Sequence, residues 1–332
     1  MLHSFAFTVQ GKLRDRDIAP SAMPALLADP TLFLWLDLEA PPETEARSIL
    51  ENVFHFHPLS IEDCIAESPS PKVEEYLPGD GDQFSPYLFM VIHEVDYKSG
   101  EGVFATNEIN FFFGKNFLVT YHASSSRSIT LTEESAVKGT LHPARGPDRL
   151  VHLLLDSVVD NYDPALDHLS EEINALETLA LESPRTETLN RILRVKREVG
   201  RLRQIMSTQR EVLARFVRGE FKLIRPHLIP YYRDVYDALF HFSELAQGYM
   251  DGLTGILQVY LNMSSNRTGE IVKLLTLITV ITTPLMMIGT WYGMNFHDMP
   301  ELSWKHGYPI AAAAMVLSTL ATYFYFKRKK WL

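Results

Sequence analysis

The sequence predicts an α+β membrane protein, with an N-terminal α/β domain, long helices running toward a bilayer, and two C-terminal transmembrane helices. Three observations predict it. From Leu274 to Phe296 there is no charged residue, and from Gly307 to Phe326 there is none again. Each run is long enough to cross a hydrocarbon core of ~30 Å, which takes about 20 helical residues. Upstream, residues 4–125 mix strand-like and helical patterns, whereas the chain from about Arg149 onward is helical. The 332 residues therefore divide into a cytoplasmic α/β domain (1–148), a helical stalk (149–273), a first span (274–296), an outer loop (297–306), a second span (307–326) and a basic tail (327–332).

In the first domain, Ser4–Leu13, Leu32–Leu38, Tyr87–Tyr97 and Glu108–His122 are rich in Phe, Val, Ile and Leu and read as strands. Asn110–Thr120 reads as a hairpin turning at Gly114-Lys115-Asn116. Pro41–Phe54 has helical spacing after a Pro-Pro entry, and Ser60–Ala66 reads as a short helix following His57-Pro58. Leu150–Leu181 then carries apolar residues three and four apart, and Ser183-Pro184 breaks the pattern. Thr186 can cap the next helix. Leu189, Ile192, Val195, Val199, Leu202, Ile205 and Val212 form a coiled-coil-like stripe there, so the two helices are expected to pair as an antiparallel hairpin.

After a break at Arg225-Pro226 and Pro230, no strong breaker precedes the membrane from Tyr231 to about Trp291. A helix of that length spans about 90 Å at 1.5 Å per residue. Pro284 falls inside the span, where Thr282 and Thr283 can compensate for its missing amide.

Charge bounds the function. Of 31 Lys/Arg and 41 Asp/Glu, five and two follow residue 273, leaving 26 and 39 before it, a net −13. Such a surface argues against nucleic acid and suits cations, although solubility alone also accounts for it. The single Cys64 precludes an internal disulfide and fits a reducing compartment. Met1-Leu2-His3-Ser4-Phe5 offers no basic region before an apolar run, so no signal peptide is expected. Lys327, Arg328, Lys329 and Lys330 abut the second span, while the outer loop carries Lys305 beside Asp298 and Glu301. The positive-inside rule thus puts both termini in the cytoplasm of a cell with this protein in its plasma (inner) membrane, in contact with lipid. No nucleotide loop, nucleophile triad or Cys pair suggests an enzyme, and none of the patterns calls for a cofactor.

Two spans cannot enclose a water-filled path, so the chain is either an anchor or an oligomer. Stepping back from Asn295 by threes and fours gives Thr290, Met286, Thr283, Thr279, Leu275, Val272, Thr268, Ser265, Leu261 and Gln258. The face mixes hydroxyls with isolated apolar positions, as a pore with a dewetting constriction at Val272 and Leu275 would. The plainer reading is that Thr residues in membrane helices bond their own backbone. Gly293 and Asn295 also have two readings. Both favour helix C-termini. A ring of neutral Asn oxygens can also accept hydrogen bonds from the water shell of Mg²⁺, which dehydrates reluctantly.

Tyr292-Gly293-Met294-Asn295, Met299-Pro300-Glu301-Leu302, Trp304, Gly307-Tyr308-Pro309 and the terminal Lys-Arg-Lys-Lys-Trp-Leu resemble the CorA family of magnesium and cobalt channels. His57–Asp63, Pro71–Tyr76 and Gly114–Val119 resemble its cytoplasmic domain, with Pro78–Pro86 as a loop insertion. The resemblance implies a homopentamer passing Mg²⁺, and Co²⁺ or Ni²⁺, inward, with Tyr292, Gly293, Met294 and Asn295 as selectivity filter and Glu301 as the loop acid. It further implies cytoplasmic Mg²⁺-sensing carboxylates at Glu62, Asp63, Asp156 and Asp234. Where the family usually has an acid facing Asp63, this chain has Gln258, which can ligate but adds no charge. Rival readings are a ZntB-like zinc transporter of the same superfamily, whose members tend to depart from Gly-Met-Asn, and a membrane-anchored signalling or scaffold protein. His55-Phe56-His57 as a zinc pair is outweighed by a structural role.

Overall fold

The computed structural model describes residues 1–66, 70–79, 82–97, 104–139, 146–182, 185–295, 299–329 and 331. By contact the chain divides into two units, Met1–Thr178 with Thr186–Ile256, and Leu179–Arg185 with Leu257–Leu332.

The first unit is built on a seven-stranded mixed sheet. Its strands are β1 (Leu2–Thr8), β2 (Leu13–Arg16), β3 (Leu32–Glu39), β4 (Lys72–Tyr76), β5 (Tyr87–Tyr97), β6 (Phe104–Gly114) and β7 (Phe117–His122), in the order β2-β1-β3-β7-β6-β5-β4. β3 and β7 pair in parallel and the other neighbours are antiparallel. The hairpin at Gly114-Lys115-Asn116 is where the sequence puts it. The expected strand Ser4–Leu13 is instead two strands, because the chain turns at Gly11, whose φ of 81° suits a residue without a Cβ.

One sheet face is closed by α2 (Glu43–Asn52) and α3 (Pro58–Ile65), after a single-turn α1 (Met23–Leu27). Leu34, Leu36 and Leu38 of β3, Phe89 and Val91 of β5 and Phe112 of β6 are buried there with Ile49, Leu50, Ile61 and Cys64. Alternate strand residues point to one face, so this core follows from period-two patterning. The His57 ring accepts from the Leu59 amide at 3.2 Å and caps α3, the structural role expected of it.

The opposite face carries α4 (Arg127–Val137) and α5 (Pro147–Asp160). The helical stretch 150–181 does not run unbroken: α5 ends at Asp160 and α6 (Tyr162–Glu182) begins anew. Asn161 at the break donates to Glu94 Oε1 and approaches Ser128 Oγ, both at 2.8 Å, a tertiary contact that the helical spacing does not encode. α5 is anchored at its start, where Arg225 forks onto Asp148 at 2.6 and 2.7 Å and Tyr232 donates to the Asp148 carbonyl.

α7 (Thr186–Val217) buries the predicted stripe, Ile192, Val195, Val199, Leu202, Ile205 and Val212, while Leu189 is only half-buried. The Arg191–Glu172 ion pair at 2.9 Å ties α7 to α6, as an antiparallel hairpin requires; Ser183 and Pro184 lie outside the described residues. α8 (Ile229–Tyr292) is one helix of 64 residues, two residues longer at its start than predicted because Pro230 fits the first turn.

The second unit holds the C-terminal part of α8 and α9 (Gly307–Arg328). α8 and α9 are both long and apolar enough to cross a membrane. At Pro284 the freed acceptor is the Val280 carbonyl. Thr282 and Thr283 donate instead to the Ile278 and Thr279 carbonyls, so they brace the preceding turn rather than replace the lost bond.

Candidate ion-conduction and metal-sensing sites

The predicted face of α8 is open throughout. Gln258, Leu261, Ser265, Thr268, Val272, Leu275, Thr279, Thr283, Met286 and Thr290 are all exposed in the single chain. Their neighbour Leu277 is buried, at 5% exposure. The hydroxyls of Thr268, Thr279, Thr283 and Thr290 donate to the carbonyls four residues earlier, at 2.6–3.0 Å. The plainer reading of Thr in a membrane helix is therefore satisfied, and it has a chemical consequence. Each hydroxyl has one proton and two lone pairs. With the proton committed to the backbone, the oxygen faces outward as an acceptor.

At the end of α8, the Gly293 amide donates to the Gly289 and Thr290 carbonyls at 3.0 and 3.2 Å, and the Met294 amide to Trp291 at 3.4 Å. A Cβ at position 293 would meet the Gly289 oxygen at 3.2 Å, tighter than ordinary contact, so the closing turn favours glycine. Tyr292, Met294 and Asn295 follow as exposed residues. Phe296, His297 and Asp298 lie outside the described residues. Glu301 falls in a single helical turn, Pro300–Ser303, ahead of α9.

Among the residues expected to sense Mg²⁺, Glu62 and Asp63 are adjacent near the end of α3, Glu62 exposed and Asp63 half-buried. Lys72 of β4 pairs with Asp63 at 2.5 Å, a partner the sequence did not suggest because β4 went unread as a strand. Asp156 on α5 and Asp234 on α8 form the second group. Burial, then the charge of Asp234, raises the Asp156 carboxyl, with Arg149 opposing. His152, one turn before Asp156 on α5, is buried at 5% exposure. Its pKa is pushed down to about 4 by burial and then by Arg149. The half-buried Asp156 and the exposed Asp234 thus present two neighbouring carboxylates with the oxygen chemistry that a divalent cation takes.

The comparisons with known proteins agree with this architecture. Residues 31–328 match the family model described as CorA-like Mg²⁺ transporter protein. The cobalt/magnesium transport protein CorA of Thermotoga maritima is 33% identical over 300 residues, covering 90% of this chain and 83% of that protein. The protein of the same name from Methanocaldococcus jannaschii is 22% identical over 330 residues, 98% of this chain and 99% of that one. The complete structure of the CorA magnesium transporter from Methanocaldococcus jannaschii superposes with a TM-score of 0.80 at 19% identity, over 99% of this chain and 98% of that one. With a sheet-based N-terminal domain, one continuous helix leading to Gly293 and a second apolar helix behind it, the chain belongs to the CorA-like Mg²⁺ transporter family.

Proposed function

We propose that this chain forms a homo-oligomeric, pentameric channel that carries Mg²⁺, and also Co²⁺ and Ni²⁺, into the cytoplasm down the membrane potential. The observation that carries this reading is the α8 face: a helix built to cross a membrane whose row of hydroxyl oxygens and apolar side chains is left exposed by its own chain. An oligomer that turns this face inward gives rings of acceptors. Hydrated Mg²⁺ presents water hydrogens outward, and acceptor rings suit that shell while repelling anions. Asn295 at the mouth then holds hydrated ions with neutral oxygens, weakly enough for release. Val272 and Leu275 form the constriction that closes by dewetting, and Glu301 with the outer loop concentrates cations at the entry.

The driving force on a dication is about 4.6 kcal/mol per 100 mV, twice the value for a single charge. Cytoplasmic Mg²⁺ bound by Glu62, Asp63, Asp156, Asp234 and Gln258 across subunits closes the channel by favouring the clamped assembly. Both termini lie in the cytoplasm, from the basic tail after α9.

The test is ion flux into proteoliposomes. Wild-type protein should pass Mg²⁺, with Co²⁺ and Ni²⁺ competing. Asn295→Ala should abolish or grossly alter that flux while the oligomer persists, and Leu275→Ser should raise the resting current by keeping the constriction wet. Absence of wild-type flux would return the chain to the anchor reading. Wild-type flux and ion ranking in Asn295→Ala would remove Asn295 from the filter.

A further inference from the structure

A cluster of titratable side chains far from the sensor carboxylates lies between the sheet and α4. His3 on β1 stands opposite Asp37 on β3 in antiparallel register, and Asp37 is in register with Thr120 on β7. The three form a row on one face of the sheet. Glu133 of α4 reaches the row, with its two oxygens 3.0 and 2.9 Å from His3 Nδ1. One ligand atom from each of His3, Asp37 and Glu133 lies within 4.8 Å of the others. A cleft of about 320 Å³ lined by His3, Arg16, Thr130 and Glu133 opens beside them.

Asp37 is held in place from behind. The Thr120 hydroxyl donates to its Oδ1, and His122 Nε2 lies 3.1 Å from its Oδ2. Asp37 and His122 side chains are each 2% exposed. His122 Nδ1 donates to the Ser124 carbonyl at 2.6 Å, which fixes the ring with Nε2 against the Asp37 carboxylate. Asp37 is thus paired with His122, and Glu133 with His3.

We propose that His3, Asp37 and Glu133 form a transition-metal site for Zn²⁺, Co²⁺ or Ni²⁺. One imidazole nitrogen and two carboxylate oxygens ligate the ion, and His122 orients Asp37. Imidazole among the ligands selects transition metals over Mg²⁺, which takes all-oxygen sites. The metal takes the place of the proton between His3 and Glu133 and supplies the charge that the second carboxylate lacks. The hydrogen bonds from Thr120 and His122 to Asp37 are the outer support that metal-binding carboxylates use. Ligands at about 2.0–2.2 Å from a tetrahedral zinc stand about 3.4 Å apart, so the trio closes by up to about 1.4 Å, within the reach of the His3 side chain. Bound metal ties α4 to β1 and β3. The site is independent of the channel reading, because binding needs only the first unit's own residues.

The test uses full-length protein in detergent with Mg²⁺ in large excess, so that oxygen-only sites are filled. Co²⁺ is titrated by its visible absorption, and Zn²⁺ by calorimetry. Wild type should bind one ion per chain. His3→Gln and Glu133→Gln should each weaken binding by at least about 100-fold, the upper end of what even an outer-shell loss costs, while keeping the wild-type melting temperature without added metal. His241→Gln, an exposed histidine on α8, should bind as wild type does. Equal binding by wild type and His3→Gln, an equal loss in His241→Gln, or no binding in excess Mg²⁺ overturns the site.

Discussion

Lys72 holds Asp63: the ammonium on β4 lies 2.5 Å from the Asp63 carboxylate and 3.5 Å from Glu74. Burial opposes the Lys72 charge, and the two carboxylates more than offset it, so its pKa is raised. In the proposed sensor, Mg²⁺ must displace this ammonium before it can use Asp63. The pair is partly exposed, which limits it to about 0.2–1 kcal/mol. Lys72→Met should therefore lower the Mg²⁺ concentration that protects the protein from proteolysis, by up to about fivefold. A midpoint that does not move means that Asp63 is no ligand.

Gln258 bears on the same site from the other direction. A dication beside one carboxylate forgoes its attraction to a second, several kcal/mol at an effective dielectric near 20. Desolvating that second carboxylate offsets much of this. Gln258→Asp should lower the Mg²⁺ midpoint for closure and strengthen protection, while Asp63→Ala in the present chain should have a mild effect. Loss of all closure in Asp63→Ala would show a site already complete.

Legibility followed the range of the interactions. α8 was readable nearly to the residue, because an unbroken apolar run with no breaker fixes a helix locally. β4 was not, because Lys-Val-Glu-Glu-Tyr is a short edge strand with three charges and gains its identity from pairing with β5. The α5–α6 break was hidden because helical spacing continues through Asn161. The contact that marks it is to Glu94, 67 residues away. The Gly293-Met294-Asn295 run and the spacing of the α8 face are visible in the sequence because they lie on one helix and its end. Lys72 beside Asp63 and His3 beside Glu133, 130 residues apart, require the strand register that only the folded chain supplies.

The depressed His152 pKa predicts an acid-sensitive stability. Between about 4 and the ordinary value near 6.5, the unfolded chain binds a proton on His152 that the folded chain refuses. Stability from this group is therefore full above pH ~6.5 and declines as pH falls toward 4, by a total on the order of 3 kcal/mol. Asp156, whose pKa is raised by burial and then by Asp234, works the opposite way and gains on acidification. The measurement is the pH slope of the melting temperature in wild type against His152→Phe. The variant should lose part of the wild-type decline from pH 6.5 to 4.5, and equal slopes would assign the acid sensitivity elsewhere.

Gly293 and Gly289 make an internal comparison at the mouth of the first span. A Cβ at 293 sits 3.2 Å from the Gly289 oxygen and 3.5 Å from the Thr290 oxygen, both backbone atoms that cannot swing aside. Outside its own helix turn, a Cβ at 289 meets only the end of the Met315 side chain at 3.9 Å, an ordinary contact. Alanine at 293 must therefore shift the turn that carries Asn295, whereas alanine at 289 leaves it in place and gains helix propensity of about 1 kcal/mol. The shift needed is a few tenths of an ångström, smaller than the misplacement of ~1 Å that costs about 100-fold where geometry sets the rate. Gly293→Ala should accordingly cut Mg²⁺ flux severalfold with the oligomer intact, and Gly289→Ala should conduct within about twofold of wild type. Proteoliposome flux at matched protein density decides it. Equal conduction by the two variants would mean that Asn295 tolerates a moved backbone, and the filter would then not depend on the tight turn at Gly293.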